Sequence, residues 1–325
     1  MKKLMSAVIA LILAFSAAAL ADEAAVNYSM TTGMPTDQTS QKIAAVQFDN
    51  DPAARPLLHM SDADVIYEAE IAEDGQTAYT AIFHDNVPET VEAVGVARIL
   101  NIDIALDWGA TFVHAGGQQA AGTSVYDYMN TIGLMTSRVD GMADPASFYR
   151  DVARVAPHNA VCRLAQLYDR IDVNASAPRS PLSFSASDYT QKGSNSSILR
   201  VKYSVEGGFY PSFQYNPDDG LYYRFYNRSR HEDGAGDRYT CSNIIVMQAD
   251  YTWYEGDGQR PIVALTGTNK CDYFIGGKHF TGTWARSEAS AATTYYDDEG
   301  NIVLFQPGKT FIQIIRSADQ LEIVG

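Results

Sequence analysis

A succession of short β-prone runs split by turn residues fills the chain beyond residue 198 and limits that half to a sheet assembled from hairpins. The runs are 198–204, 222–226, 242–248, 262–266, 273–275, 280–284, 293–296, 302–305 and 310–315. Between them stand Asn216-Pro217-Asp218-Asp219-Gly220, Gly276-Gly277 and Asp297-Asp298-Glu299-Gly300-Asn301. Asn, Asp and Gly tolerate the left-handed backbone that tight hairpins demand, so this punctuation predicts a β-rich domain over 198–325. The turn segments recur without a fixed period, which argues against a repeat architecture. Tyrosines are dense here, as ordinary strand composition allows, and Trp284 after Gly282-Thr283 reads as core.

The first half has a different texture. Residues 43–48, 65–71 and 77–83 read as strands, with an Asp74-Gly75 turn signal between the last two. Residues 99–108 fit a helix, 111–114 a short buried strand and 124–132 another helix. Strands and helices intermixed in this way predict an α/β-type domain over 42–173. Residues 174–197, rich in Ser, Ala, Pro and Asn, read as a linker, and polar, aperiodic 22–41 as a flexible lead-in. The fold class expected is α+β: an N-terminal α/β-type domain followed by a β-rich C-terminal domain, each with its own core.

Residues 1–21 have the form of a secretory signal: Lys2 and Lys3, an apolar run from Leu4 to Leu20, and Ala19-Leu20-Ala21 before Asp22. Cleavage after Ala21 would leave an exported protein with no stable transmembrane segment. The net charge of −15 makes nucleic acid and acidic lipid poor partners. Three cysteines, Cys162, Cys241 and Cys271, exclude a disulfide-dense scaffold and a four-cysteine zinc site. An oxidising compartment could join Cys241 to Cys271 if their strands are neighbours, closing a loop of about 30 residues worth roughly 3 to 4 kcal/mol. Cys162 reads as a buried thiol.

Chemistry concentrates in Phe148-Tyr149-Arg150-Asp151-Val152-Ala153-Arg154-Val155-Ala156-Pro157-His158-Asn159. On a helix, Arg150 and Arg154 share one face, while Phe148, Val152 and Val155 form an apolar stripe on another. Pro157 ends such a helix, and Asn159 is placed to cap a second one that carries Val161, Leu164, Leu167 and Tyr168 inward. Arginine forks, a helix start and His158 together suit a carboxylate or phosphate ligand. An alternative stands beside it: Asp151 and other acids pair with the arginines, Asn159 only caps, and His158 binds a loop carbonyl.

Asp51-Pro52-Ala53-Ala54-Arg55-Pro56, Asp64-Val65-Ile66-Tyr67-Glu68, Val113-His114-Ala115-Gly116-Gly117, the 149–159 motif, Gly282-Thr283-Trp284 and Pro307-Gly308-Lys309-Thr310-Phe311-Ile312-Gln313 resemble the YerB-like lipoprotein family of Gram-positive bacteria. The resemblance runs from about residue 43 to 315 and takes in both halves in order. It implies two adjacent domains of unknown function outside the cytoplasmic membrane and assigns no catalytic residue. This chain departs from the pattern where Ala78 and Gly95 replace arginines, and no lipid-attachment cysteine lies near the cleavage point. Arg98, Arg150 and Arg154 remain. Between residues 41 and 173 there is one lysine, Lys42, against seven arginines, a bias that suits planar carboxylate or phosphate recognition or simply pairing with acids.

His114 ends an apolar strand just before Gly116-Gly117, where open α/β sheets place ligands, although strand-end histidines are more often plain hydrogen-bonding residues. No Gly-x-Ser-x-Gly elbow, His-Glu-x-x-His or Cys-x-x-Cys occurs, and no motif calls for a cofactor or a metal. The first functional reading is a non-catalytic binding or accessory module that recognises an anionic envelope component or an envelope protein. Its candidate ligand-binding residues are Arg98, His114, Arg150, Asp151, Arg154, His158 and Asn159, with the arginines and His158 converging on one concave surface. The rival reading is an envelope-polymer hydrolase or transferase with His158 or His114 as general base. A third, a scaffold for a larger assembly, predicts an exposed apolar patch.

Overall fold

The computed structural model describes residues 26–324, except 121–122, 135–136, 173–176, 205–209 and 255–256. The expected signal, residues 1–21, lies outside the described residues, as does the start of the expected linker.

One sheet of eleven strands organises the described residues. Its strands are β1 (Ala44–Phe48), β2 (Val65–Glu70), β3 (Thr77–Phe83), β4 (Thr111–His114), β5 (Arg138–Asp140), β6 (Ser194–Asn195), β7 (Asn243–Gln248), β8 (Gly267–Ile275), β9 (Lys278–Arg286), β10 (Thr294–Asp297) and β11 (Thr310–Ile315). Their order is β6-β9-β8-β7-β11-β2-β3-β1-β4-β5, with β10 also on β9. The helix α1 (Ile99–Trp108) stands where its apolar run places it and ends at Gly109, which adopts φ +57°. Gly276 and Gly277, both at positive φ, turn β8 into β9, as the Gly-Gly pair predicts.

The seam between the halves is a pair of parallel strands. β11 lies between β2 and β7, with Val65 opposite Thr310 and Ala69 opposite Ile314 on one side, and Asn243 opposite Thr310 on the other. Every residue of β2 and of β11 is buried. Alternation then sends Val65, Tyr67, Ala69, Ile312 and Ile314 to one face, and Ile66, Phe311 and Ile315 to the other. Ile102 and Trp108 of α1 pack on the first face, to which Tyr273 of β8 and Trp284 of β9 also belong. Leu199, Phe213 and Tyr222 of a second sheet cover the other, beside Phe148 and Leu164. The expectation of one core per half is therefore corrected. Among the described residues there are two cores, one on each face of a shared sheet, and each takes residues from both halves.

Charge follows the same seam. Glu68 of β2, fully buried, accepts from Arg224 Nη2 at 2.7 Å and from Thr77 Oγ1 at 2.9 Å. Asp107 of α1 accepts from the backbone N–H and hydroxyl of Thr293 at 2.6 and 2.9 Å.

Both segments read as loose are docked. In the lead-in, Ser29, Thr31 and Thr32 are buried, and Gly308 N–H donates to Thr32 O at 2.7 Å. In the expected linker, Ser183–Phe184 pairs in parallel with Leu304–Phe305, and Ser194–Asn195 joins β9. Polar composition hid these contacts because they are made by backbone and hydroxyl groups. The Cys241–Cys271 bridge is also corrected. All three cysteines are free and buried, and Cys241 and Cys271 belong to the cores on opposite faces of the sheet. Cys271 pairs with Met247, six residues along from Cys241 and so roughly 20 Å away at strand rise, far beyond disulfide reach.

Candidate functional site

The 148–159 motif is a hairpin, which corrects the expected helix. Phe148–Arg150 pairs antiparallel with Ala160–Cys162, Arg150 opposite Ala160, and Val91–Glu92 adds a third strand. Phe148, Tyr149 and Val161 are residues that suit a pleated surface, and pairing with a distant strand outweighs a helical periodicity that Pro157 already cuts short. The apolar stripe consequently divides. Phe148 is buried, whereas Val152 is 99% and Val155 75% exposed. Asn159 caps no helix; the following helix is Leu164–Asp169, preceded by Arg163.

Asn159 instead ties the loop. Its Nδ2 donates to Asp151 O at 2.9 Å and to Arg154 O at 3.3 Å, while its Oδ1 accepts from Arg150 Nη1 at 3.2 Å. Arg150 also donates to Pro157 O at 3.0 Å, and the Asp151 carboxylate accepts from Ala153 N–H at 2.8 Å. Arg154 reaches across to another segment. Its two terminal nitrogens donate to Ala54 O at 2.6 Å and Pro56 O at 2.7 Å, and Nε lies 3.0 Å from Glu92 Oε1, an ion pair out of line for a hydrogen bond. Burial pushes the Glu92 carboxyl up, against the pull of Arg154. Each nitrogen of the Arg154 guanidinium thus faces an oxygen of another segment.

His158 binds Asp49, whose charge also reaches Arg98. His158 Nδ1 donates to Asp49 Oδ2 at 2.6 Å, and its Nε2 stands 4.0 Å from Asp51 Oδ1. Arg98 donates to Val96 O at 3.3 Å; burial lowers its pKa to about 10, with Asp49 as the opposing carboxylate. The charge that an anionic ligand would supply is thus already present as Asp49. Gly95, where the family pattern has an arginine, lies under the same residue: a Cβ there would come within 2.8 Å of Asp49 N.

His114 stands apart from this group. It is fully buried at the end of β4, donates through Nδ1 to Gly116 O at 2.8 Å, faces Arg138 Nη1 through Nε2 at 3.3 Å and stacks on Phe112 at 5.0 Å. Burial lowers its pKa, so it is neutral and held on both nitrogens.

The hairpin tip is exposed. Val152 and Val155 project from it, with exposed Tyr149 and Met142 alongside. Arg150 Nη2 donates to Met142 Sδ at 3.4 Å, and the Arg163 guanidinium lies 4.6 Å from the Tyr149 ring centre. Sequence reasoning assigned the two valines inward and missed Asp49 and Glu92 as the acids that satisfy the cations. The only signal for the tip was Pro157, which makes a helix there costly.

This arrangement, two halves sharing one sheet with a braced hairpin at its side, belongs to a family of proteins of unknown function. The model of the DUF3048 N-terminal domain matches residues 31–177 and that of its C-terminal domain residues 199–312; the chain is a member of that family. Among its relatives, the protein described as "Putative lipoprotein YerB", from Bacillus subtilis (strain 168), is 28% identical over 306 residues, 90% of this chain and 87% of that one. The crystal structure of YerB protein from Bacillus subtilis matches with a TM-score of 0.78 at 24% identity, across 92% of this chain and 100% of that chain, a likeness of fold.

Proposed function

We propose that this protein is a non-catalytic binding module outside the cytoplasmic membrane that engages an envelope protein through the tip of its 148–159 hairpin. The observation that carries the reading is an ordered loop that holds two valines in water. Asn159, Arg150 and Arg154 brace its backbone from within, so Val152 and Val155 cannot fold back to shed their apolar surface. Seating each in a partner's pocket would be worth roughly 1.5 to 3 kcal/mol. A small anion is less well served, because the guanidinium of Arg154 is spent on Ala54, Pro56 and Glu92, and Asp49 already compensates His158.

His114 and the cysteines offer little to catalysis, and His158 has its Nδ1 bound to Asp49. Buried His114 has both nitrogens engaged, and burial pushes the Cys162 thiol up to about 12 and those of Cys241 and Cys271 higher, away from thiolate chemistry. The signal-like N-terminus and the description of a relative as a lipoprotein support a place outside the membrane. Among the described residues, no helix is long and apolar enough to cross a membrane.

The test is a photo-crosslinking residue at Val152 in intact cells, with exposed Thr268 as control site. A discrete protein adduct from position 152, absent from position 268 and lost on Val155→Asp, is expected. No adduct from position 152, or the same adducts from both positions, would overturn the reading.

A further inference from the structure

A cavity of about 920 Å³ opens at the seam, walled by residues 32–38 of the lead-in, the entry to β2, residues 240–242, the turn before β11 and the start of the 221–226 strand. That is the size of a small-molecule site. At its wall stands Asp64, only 2% exposed. Its Oδ2 accepts from Thr31 Oγ1 at 2.8 Å, His84 N–H at 2.9 Å and Asp85 N–H at 3.0 Å, whereas its Oδ1 takes no hydrogen bond among the described residues.

The charge around it is one-sided. Asp37 and Asp85 also line the cavity, and among the described residues the only basic one in its lining is Lys309. The Lys309 ammonium donates to Ser61 O and lies in the fields of Asp62, Asp64, Asp233 and Asp237. One ammonium is shared among several carboxylates. Met34, Leu221 and Pro307 give apolar wall against which a short carbon chain could lie.

We propose that this cavity binds a small organic cation carrying a primary ammonium, which donates to Asp64 Oδ1 while its carbon chain lies against Met34 and Leu221. Burial and the neighbouring Asp85 carboxylate raise Asp64 to about 7 against the weaker pull of Lys309, so a further positive charge beside it favours the ionised form. The carboxylates are not grouped in a way that could hold a metal ion among the described residues, which leaves an organic cation as the fitting class. The inference does not rest on the hairpin, and its residues are different ones.

Calorimetric titration of the full chain with putrescine, with the neutral diol of the same length and with succinate tests it. Saturable binding of putrescine is expected, with the diol weaker by roughly tenfold or more and succinate silent. Asp64→Asn keeps an oxygen for Thr31, His84 and Asp85 and should weaken putrescine by a similar factor. Leu221→Trp puts bulk where the carbon chain would lie, leaves the carboxylate in place and should weaken putrescine roughly tenfold even if the first variant fails to fold. No saturable putrescine binding, equal binding of the diol, or putrescine affinity unchanged in Leu221→Trp would overturn the proposal.

Discussion

Arg154 shows how an arginine that looks free in a sequence can be committed to a structural role in the fold. Its guanidinium bonds two carbonyls of the 54–56 turn and faces a mostly buried Glu92, so it fastens the hairpin tip to the first half. Arg154→Ala should lower unfolding free energy by about 2 to 4 kcal/mol, because it strands Glu92 and two carbonyls. Urea denaturation of the variant checks this; an unchanged midpoint with impaired ligand binding would restore the anion-site reading. The four-residue spacing of Arg150 and Arg154 was legible, but its meaning was not. Spacing specifies a shared face only if the segment is helical, and the acceptors that settled the matter lie about a hundred residues away in sequence.

At the level of elements, local pattern and outcome agree best where the segment is buried on both sides. The 99–108 helix and the 77–83 and 310–315 strands lie at the bounds the sequence predicts, since predominantly apolar segments flanked by turn residues leave few alternatives. β2 is the instructive case, because Glu68 and Glu70 are buried within it. Glu68 is matched by Arg224, whereas burial raises Glu70 to about 7 despite Arg316 at 3.4 Å. In the unfolded chain Glu70 would titrate near ~4.3, so between these values the folded state alone keeps the proton. The stability this group contributes is fully present below about pH 4 and is lost as pH rises toward 7. Glu70→Gln cannot ionise, so the stability of wild type minus variant should fall from about pH 4.5 to about 7.5 and then level off. Paired urea titrations across that range measure it; a difference that grows with pH would show Arg316 to be the stronger influence.

For the whole molecule, the shared sheet means that neither family-model half has a complete core. Residues 1–177 alone would leave β2 without β11 and α1 without Tyr273 and Trp284. That fragment should lack a cooperative urea transition, and co-expression with 178–325 should restore one. A cooperative transition in the isolated fragment, followed by far-ultraviolet circular dichroism, would refute the interdependence.

Sequence alone determined the strands and helices with strong local period, the glycine turns, the acidic balance and the family. These depend on neighbours within a few residues, where backbone preference and side-chain alternation act. Only the tertiary structure decided that β11 enters beside β2, that the lead-in forms a cavity wall, that Cys241 and Cys271 face opposite ways, and that the 148–159 segment turns its valines to water. Each of those depends on groups brought together from distant segments, and their desolvation and pairing energies outweigh the local preferences that a sequence displays.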